Sequence, residues 1–358
     1  KWKTKLDTPG NGSPIVWANR IFLTAASADG ARRGIAAFDR ATGRKLWATY
    51  APDTNTERTN PKNGFASSTP TTDGRLVYAY LGPQGVIAVD FAGKLAWHAP
   101  VGPIQGNHGT GGSPLLYKDR IIIYQDQMMV PEGSFIAAFD AKTGARRWWK
   151  PRTEKIGWGR PIAIHAGARD EIIISSFRSI TAYNPDDGEV LWKVGHGMPE
   201  VIPTPVVGHG LVIASFGKAG PTFAIRPGGS GEVTSTHVAW QTAKGAPFVP
   251  SPLLYGDELY MINDQASVAT AYDAKSGALL WQGRLGEVAV NGFSASPVGV
   301  DGKVFFTNEE GETFVLKAGK TFELLHVNKV NEPMLASPAM VGGTWYFRTP
   351  FHLMAVGK

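Results

Sequence analysis

The side chains able to move protons or hold charge sit in short polar stretches between apolar runs. "GNHGTGG" (106–112) offers Asn107 and His108, "GWGR" (157–160) offers Trp158 and Arg160, "GHGMPEV" (195–201) offers His196 and Glu200, and "NGFSAS" (291–296) offers Asn291. A second set stands where apolar runs end: Asp126, Arg178, Lys218, Asp264, Glu309, Glu310 and His352. Histidine exchanges protons near neutral pH, and arginine neutralises a carboxylate. An aromatic ring beside such groups suits a planar, sugar-like or anionic ligand. With Arg160 as charge neutraliser, His108 and His196 have the types needed for acid and base in a lyase acting on an acidic polysaccharide, provided the loops converge.

Several other chemistries lack their residues. The chain has no cysteine, which removes disulfides, thiolate metal sites and cysteine nucleophiles. Its eight histidines form no pair at ligand spacing, so no metal is expected. There is no G-x-S-x-G elbow. The glycines of 109–112 precede no helix that could lend its dipole to a phosphate. Basic and acidic residues number 36 and 30, for a formal charge of +6. They are scattered, with pairs such as Arg32–Arg33 and Arg146–Arg147, and read as a solvated surface. A nucleic-acid footprint would cluster, so no nucleic-acid partner is expected. No apolar run reaches eighteen residues, so no transmembrane segment is expected. The candidates also have structural readings: His108 as a loop hydrogen-bonder, Trp158 as a displaced repeat tryptophan, and Glu309–Glu310 as a solvated hairpin turn.

What must position these residues is a repeat. A chain of 358 residues exceeds what one compact core usually supports. Its 43 glycines, 25 prolines and 18% charged residues point to short strands and tight turns. Proline, in all but one case after a small residue, opens an apolar strand at Pro14, Pro70, Pro114, Pro161, Pro205, Pro252, Pro297 and Pro338. Tryptophan closes the unit at Trp47, Trp97, Trp148, Trp192, Trp240 and Trp281. Successive marks stand 41 to 51 residues apart, except that 50–66 inserts a long loop between Pro14 and Pro70. Four strands per such period is the sequence form of a β-propeller blade. The spacing predicts an all-β, single-domain, eight-bladed β-propeller over 1–358, with four antiparallel strands per blade. The eighth unit stops at "HLMAVGK" without a fourth strand, and Trp2 precedes Trp47 by one period of 45 residues. The N-terminal strand is therefore expected to close the last blade with 338–358, leaving no open edge. Blade seven closes at Leu325, where the tryptophan is lost.

One phrase recurs: "AFDRATGRKLW" (37–47), "AAFDAKTGARRW" ending at Trp148 and "AYDAKSGALLW" ending at Trp281. "AYNPDDGEVLW", ending at Trp192, is a close variant. Asp followed by Thr-Gly or Ser-Gly predicts a tight turn, with glycine at positive φ, and the indole is expected to lie between blades. These phrases resemble the tryptophan-docking repeats of the pyrroloquinoline-quinone-like propeller superfamily. It takes in quinoprotein dehydrogenases, outer-membrane assembly scaffolds of the BamB type and cofactor-free proteins. Many of the alcohol-oxidising members of that superfamily carry a disulfide between adjacent cysteines over the quinone, which this chain without cysteine lacks, and their Ca²⁺-ligand motifs have no convincing match here. No cofactor, neither the quinone nor calcium, is expected.

Connections from second to third strand, and from one blade to the next, should emerge on one face; they are the long polar ones. Binding is expected on that face and its channel mouth. The expectation for function is a non-catalytic binding or scaffold module for a protein or glycan, monomeric and periplasmic or secreted. The lyase is the alternative and the quinoprotein oxidoreductase the third reading. The start at Lys1 fits a processed export product or a trimmed chain equally.

Overall fold

The computed structural model describes residues 1–155, 157–197, 201–217, 220–242, 245–287 and 292–357. They form eight sheets, the eight-bladed β-propeller fold with four antiparallel strands per blade. Blade 1 is Ile15–Trp17, Arg20–Ala26, Arg33–Asp39 and Lys45–Tyr50. Blade 3 is Leu115–Tyr117, Arg120–Gln125, Phe135–Asp140 and Arg146–Pro151. Blade 8 is Ala339–Val341, Thr344–Arg348 and His352–Gly357, closed by Trp2–Lys5 from the N-terminus. Trp2 stands opposite Ala355 and Lys5 opposite His352. Second and third strands, such as Ile21–Leu23 and Ile35–Phe38, are buried on both faces, which explains their uninterrupted apolar runs.

The chain falls into two compact units: Lys1–Pro161 with Pro338–Lys358, holding blades 8, 1, 2 and 3, and Ile162–Ser337, holding blades 4 to 7. In the first unit each core cluster joins consecutive blades, as where Tyr78, Tyr80 and Val86 meet Ile121, Ile123 and Phe135. In the second unit Ile173, Ile180 and Trp192 meet Val212, Ala214 and Phe223 in the same way.

The recurring phrase has a local physical cause. Asp39 Oδ1 accepts from the Ala41 and Thr42 amides and the Thr42 hydroxyl. Asp140 does the same with Lys142 and Thr143. These bonds, led by the threonine hydroxyls or the arginine beside them, hold both carboxyls below the usual range against the opposing pull of desolvation. Gly43 and Gly144 then take φ of +74°. A β-bulge follows at Ala37/Phe38 and at Ala138/Phe139, and again at Ala88/Val89, Ala182/Tyr183, Ala224/Ile225, Ala271/Tyr272 and Val315/Leu316. The bulge twists the fourth strand just before its tryptophan and aims the ring. Trp2 Nε1 donates to Arg40 O at 3.0 Å, Trp47 to Phe91 O at 3.0 Å, and Trp97 to Ala141 O at 2.9 Å. In the second unit Trp240 reaches Ala274 O and Trp281 reaches Gly319 O. Each indole thus lies on the turn of the following blade.

Two departures share one origin. In blade 5 the tight turn gives way to a longer connection carrying Gly231–Glu232 and the short helix Thr234–His237. Trp192 therefore finds no such carbonyl, and its Nε1 donates to Glu171 Oε2 of its own blade at 2.8 Å. Gly231–Glu232 pairs in parallel with Trp192–Lys193, adding a fifth strand to blade 4. The residue before each repeat proline is serine or threonine in every blade but the fourth, where it is Arg160. These hydroxyls tie blades together: the Ser13 amide donates to Thr69 Oγ1 and the Thr69 amide to Ser113 Oγ. In the second unit Thr204, Ser251 and Ser296 donate likewise to Ser251, Ser296 and Ser337.

Candidate functional site

In the first unit the long connections are anchored by buried arginines. Arg33 opens the third strand of blade 1 and is 2% exposed. Its Nη1 lies 2.6 Å from Glu57 Oε1, which arrives on the inserted 50–66 loop. Glu57 Oε2 accepts from the Thr110 hydroxyl at 2.9 Å. Gln84 completes the cage: its Oε1 accepts from the Arg33 amide, and its Nε2 donates to Gly30 O, Ala31 O and Asn55 O. The guanidinium lies 4.7 Å over the Phe65 ring. A buried charge survives only with such pairing. Arg33 was read in sequence as surface charge, and the structure corrects that. The strand begins at Arg33 and is buried on both faces, so this side chain goes inward whichever face it takes, whereas Arg32 lies before the strand and is exposed.

Asp126, a sequence candidate, is used the same way. Its Oδ1 and Oδ2 accept from Arg152 Nε at 2.8 Å and Nη2 at 3.2 Å, a buried bidentate pair. The Arg152 guanidinium lies 5.2 Å over Tyr124.

The structure brings His108 and Trp158 together, edge to face at 5.8 Å. Asn60 Nδ2 lies 3.4 Å from His108 Nδ1, and Asn63 Nδ2 donates to the His108 carbonyl at 2.7 Å. Trp158 Nε1 donates to Gly109 O at 3.1 Å. His108 therefore organises its loop, and Trp158 packs half-buried against the glycine run. Asn107 is exposed, with Nδ2 3.7 Å from the Met129 sulfur. Arg160 is half-buried, and burial lowers its pKa. His352 is half-buried beside the closing strand, its amide donating to Thr349 Oγ1 at 2.8 Å.

In the second unit His196 stacks on Phe216 at 3.8 Å with its Nε2 3.0 Å from Ser176 O. Burial pushes its pKa down to about 4, so it is neutral with Nε2–H donating. Asp264 accepts from the Phe248 amide at 2.7 Å. Glu309 accepts from the Ser294 hydroxyl at 2.6 Å and is 6% exposed, so only Glu310 of that pair is solvated. Arg178 is exposed beside Phe177. Glu200, Asn291 and Lys218 lie outside the described residues.

A quinone–calcium centre, which part of the propeller superfamily carries, needs several oxygen donors aimed at one point. The buried carboxylates described above are committed elsewhere: Glu57 to Arg33, Asp126 to Arg152, Glu171 to Arg169 and Trp192, Asp264 to the Phe248 amide and Glu309 to the Ser294 hydroxyl. Among the described residues no three His, Cys, Asp or Glu side chains group as metal ligands do. The residues present do not fit that centre.

Comparison with known proteins places these features in a family. BamB from Moraxella catarrhalis superposes with a TM-score of 0.70 at 15% identity, covering 100% of this chain and 97% of that one. The computationally designed Ika8 protein gives 0.69 at 11% identity, over 99% and 98%. Quinohemoprotein alcohol dehydrogenase from Comamonas testosteroni gives 0.71 at 14% identity, over 99% of this chain and 75% of that one. At such identities these likenesses speak for the fold alone. No curated protein matches the sequence. The family model described as outer membrane protein assembly factor BamB matches residues 1–103, 31–269, 176–320 and 265–354. Those overlapping matches run nearly end to end, and the chain belongs to that family.

Proposed function

We propose that this chain is a non-catalytic, envelope-associated scaffold that docks a protein partner through its long connections. The observation that carries the reading is the end-to-end match to a family described as an outer membrane assembly factor. The surface supports it. In the first unit the second-to-third connections of blades 3 and 8 present Met129 and Phe351, 59% and 55% exposed. A flexible thioether and an exposed ring on a rigid scaffold suit adaptable protein recognition. The carboxylates beneath, Glu57 and Asp126, are occupied in holding the loops.

The test places a photo-crosslinking residue at 129, 351 and, as control, at 17. Trp17 is exposed too, but it ends a first strand at the opposite end of its blade. The expected result is one shared outer-membrane assembly protein captured at 129 and 351 and not at 17. Phe351→Asp should abolish capture from 129, and Met129→Asp capture from 351, while stability changes by about 0.5 kcal/mol or less. Equal capture at all three positions sinks the reading. A second reading, a glycan ligand, has one observation in its favour: the His108–Trp158 pair gives a sugar ring an aromatic wall.

A further inference from the structure

Three buried arginines in the first unit pose one electrostatic problem, and two of them have an internal answer. Arg33 has Glu57 and Arg152 has Asp126. Arg348 ends the second strand of blade 8, is as buried as Arg33 at 2% exposure, and has no carboxylate at ion-pair distance among the described residues. Its Nη1 donates to Gly12 O at 3.0 Å and approaches Thr24 Oγ1 at 3.5 Å. Both acceptors are neutral. Its Nε is buried without an acceptor. Leaving a buried cation uncompensated is costly, and burial alone pushes this guanidinium down to about 9.

A cavity of about 30 Å³ borders Arg348, with Thr8, Thr24, Tyr50 and Lys45 among its walls. Asp7, also on the wall, is bound to Lys45 at 2.5 Å, so the lining keeps one net positive charge. On another side Gly10 packs so closely that a Cβ there would meet Arg348 Nη2 at 1.9 Å. The space holds about one or two water-sized groups. That is enough for a halide or the carboxylate of a very small acid.

We propose that this cavity binds a small monovalent anion, held by Arg348 in the place that Glu57 and Asp126 fill for the other two arginines. The anion would also fasten the N-terminal segment Thr8–Gly12, whose Gly12 carbonyl Arg348 already holds, to the blade that the N-terminus closes.

The experiment uses the full chain in gluconate buffer at constant ionic strength and follows the ³⁵Cl NMR line width as chloride is added. Broadening by the protein, reversed by formate, is the expected result. Arg348→Gln should weaken binding about tenfold or more, the usual worth of a charge-assisted hydrogen bond. If that variant does not fold, crystals of the unaltered protein soaked in bromide give the second reading, with an anomalous peak against Arg348. Bromide displaced by formate assigns the site to carboxylates as well as halides, and bromide that stays assigns it to halides. Equal broadening by Arg348→Gln overturns the proposal. So does an absent peak, or a peak without broadening in solution, which marks an adventitious ion only.

Discussion

The turns between third and fourth strands and the long connections of the first unit solve the same problem by opposite means. Each must hold a charged side chain in a bend. In the turns Asp39 and Asp140 bind amides two and three residues ahead, and the preceding blade's indole lies on the nearby glycine, Trp2 on Gly43 and Trp97 on Gly144. In the connections the partners are far apart in sequence: Glu57 reaches Arg33 across 24 residues and Arg152 reaches Asp126 across 26. Turns made of local bonds can be copied from blade to blade, whereas long-range ion pairs are made once. The copied parts build the scaffold, and the singular parts give the loop-bearing face its individuality.

The largest effect should come from breaking a singular part. Glu57→Gln leaves Arg33 charged and buried without its counter-ion, and should cost about 3–5 kcal/mol in urea unfolding. The double variant Arg33→Met with Glu57→Leu should recover most of that loss, because no unpaired charge is left behind. If the double change costs as much as the single, the pair is not what holds the 50–66 loop.

A copied part should break next. Gly144→Ala forces a side chain into left-handed backbone and puts its Cβ 2.6 Å from the Trp97 ring. The two penalties together should come to about 3 kcal/mol. Gly102, in the long connection before blade 3, also has positive φ, but a Cβ there meets nothing within 4 Å. Gly102→Ala should therefore cost only about 1 kcal/mol. Similar values for the two would mean that the indole contact adds nothing.

The smallest effect is in pH dependence. His196, in the connection after blade 4, has its pKa held at about 4 by burial, below the ordinary 6.5. The fold therefore favours the neutral ring. Its contribution is complete above pH 6.5, declines as pH falls toward 4, and is exhausted below that. Urea midpoints measured between pH 7.5 and 4 should fall less steeply for His196→Asn than for the unaltered protein. Parallel slopes would assign the acid sensitivity to other groups.

Much of the fold was legible because its cause is local. Proline marked every first strand, after a small residue in all but the fourth blade, and the Asp–Gly phrase marked the turns. One period between Trp2 and Trp47 foretold the strand that closes blade 8. Two signals went unread. The residue before each proline was seen only as small, yet its hydroxyl binds the neighbouring blade's backbone, and Arg160 interrupts that series. The Arg32–Arg33 pair looked like surface, although the strand it enters is buried on both faces. The site residues were less legible still. Asp126, Asp264 and Glu309 look along the chain like loop carboxylates open to ligand, but each is buried and committed to an internal donor. Nothing in their own neighbourhoods announces the partner.

The amino-acid order alone determined the number of blades, the turn chemistry and the joining of the two chain ends, since each follows from residues within a few positions or one period of each other. Tertiary structure alone decided which buried arginine receives a carboxylate. That outcome depends on where distant loops cross, and whether a charge is tolerable depends on the burial those crossings create. Arg33, Arg152 and Arg348 look alike along the chain and differ only there.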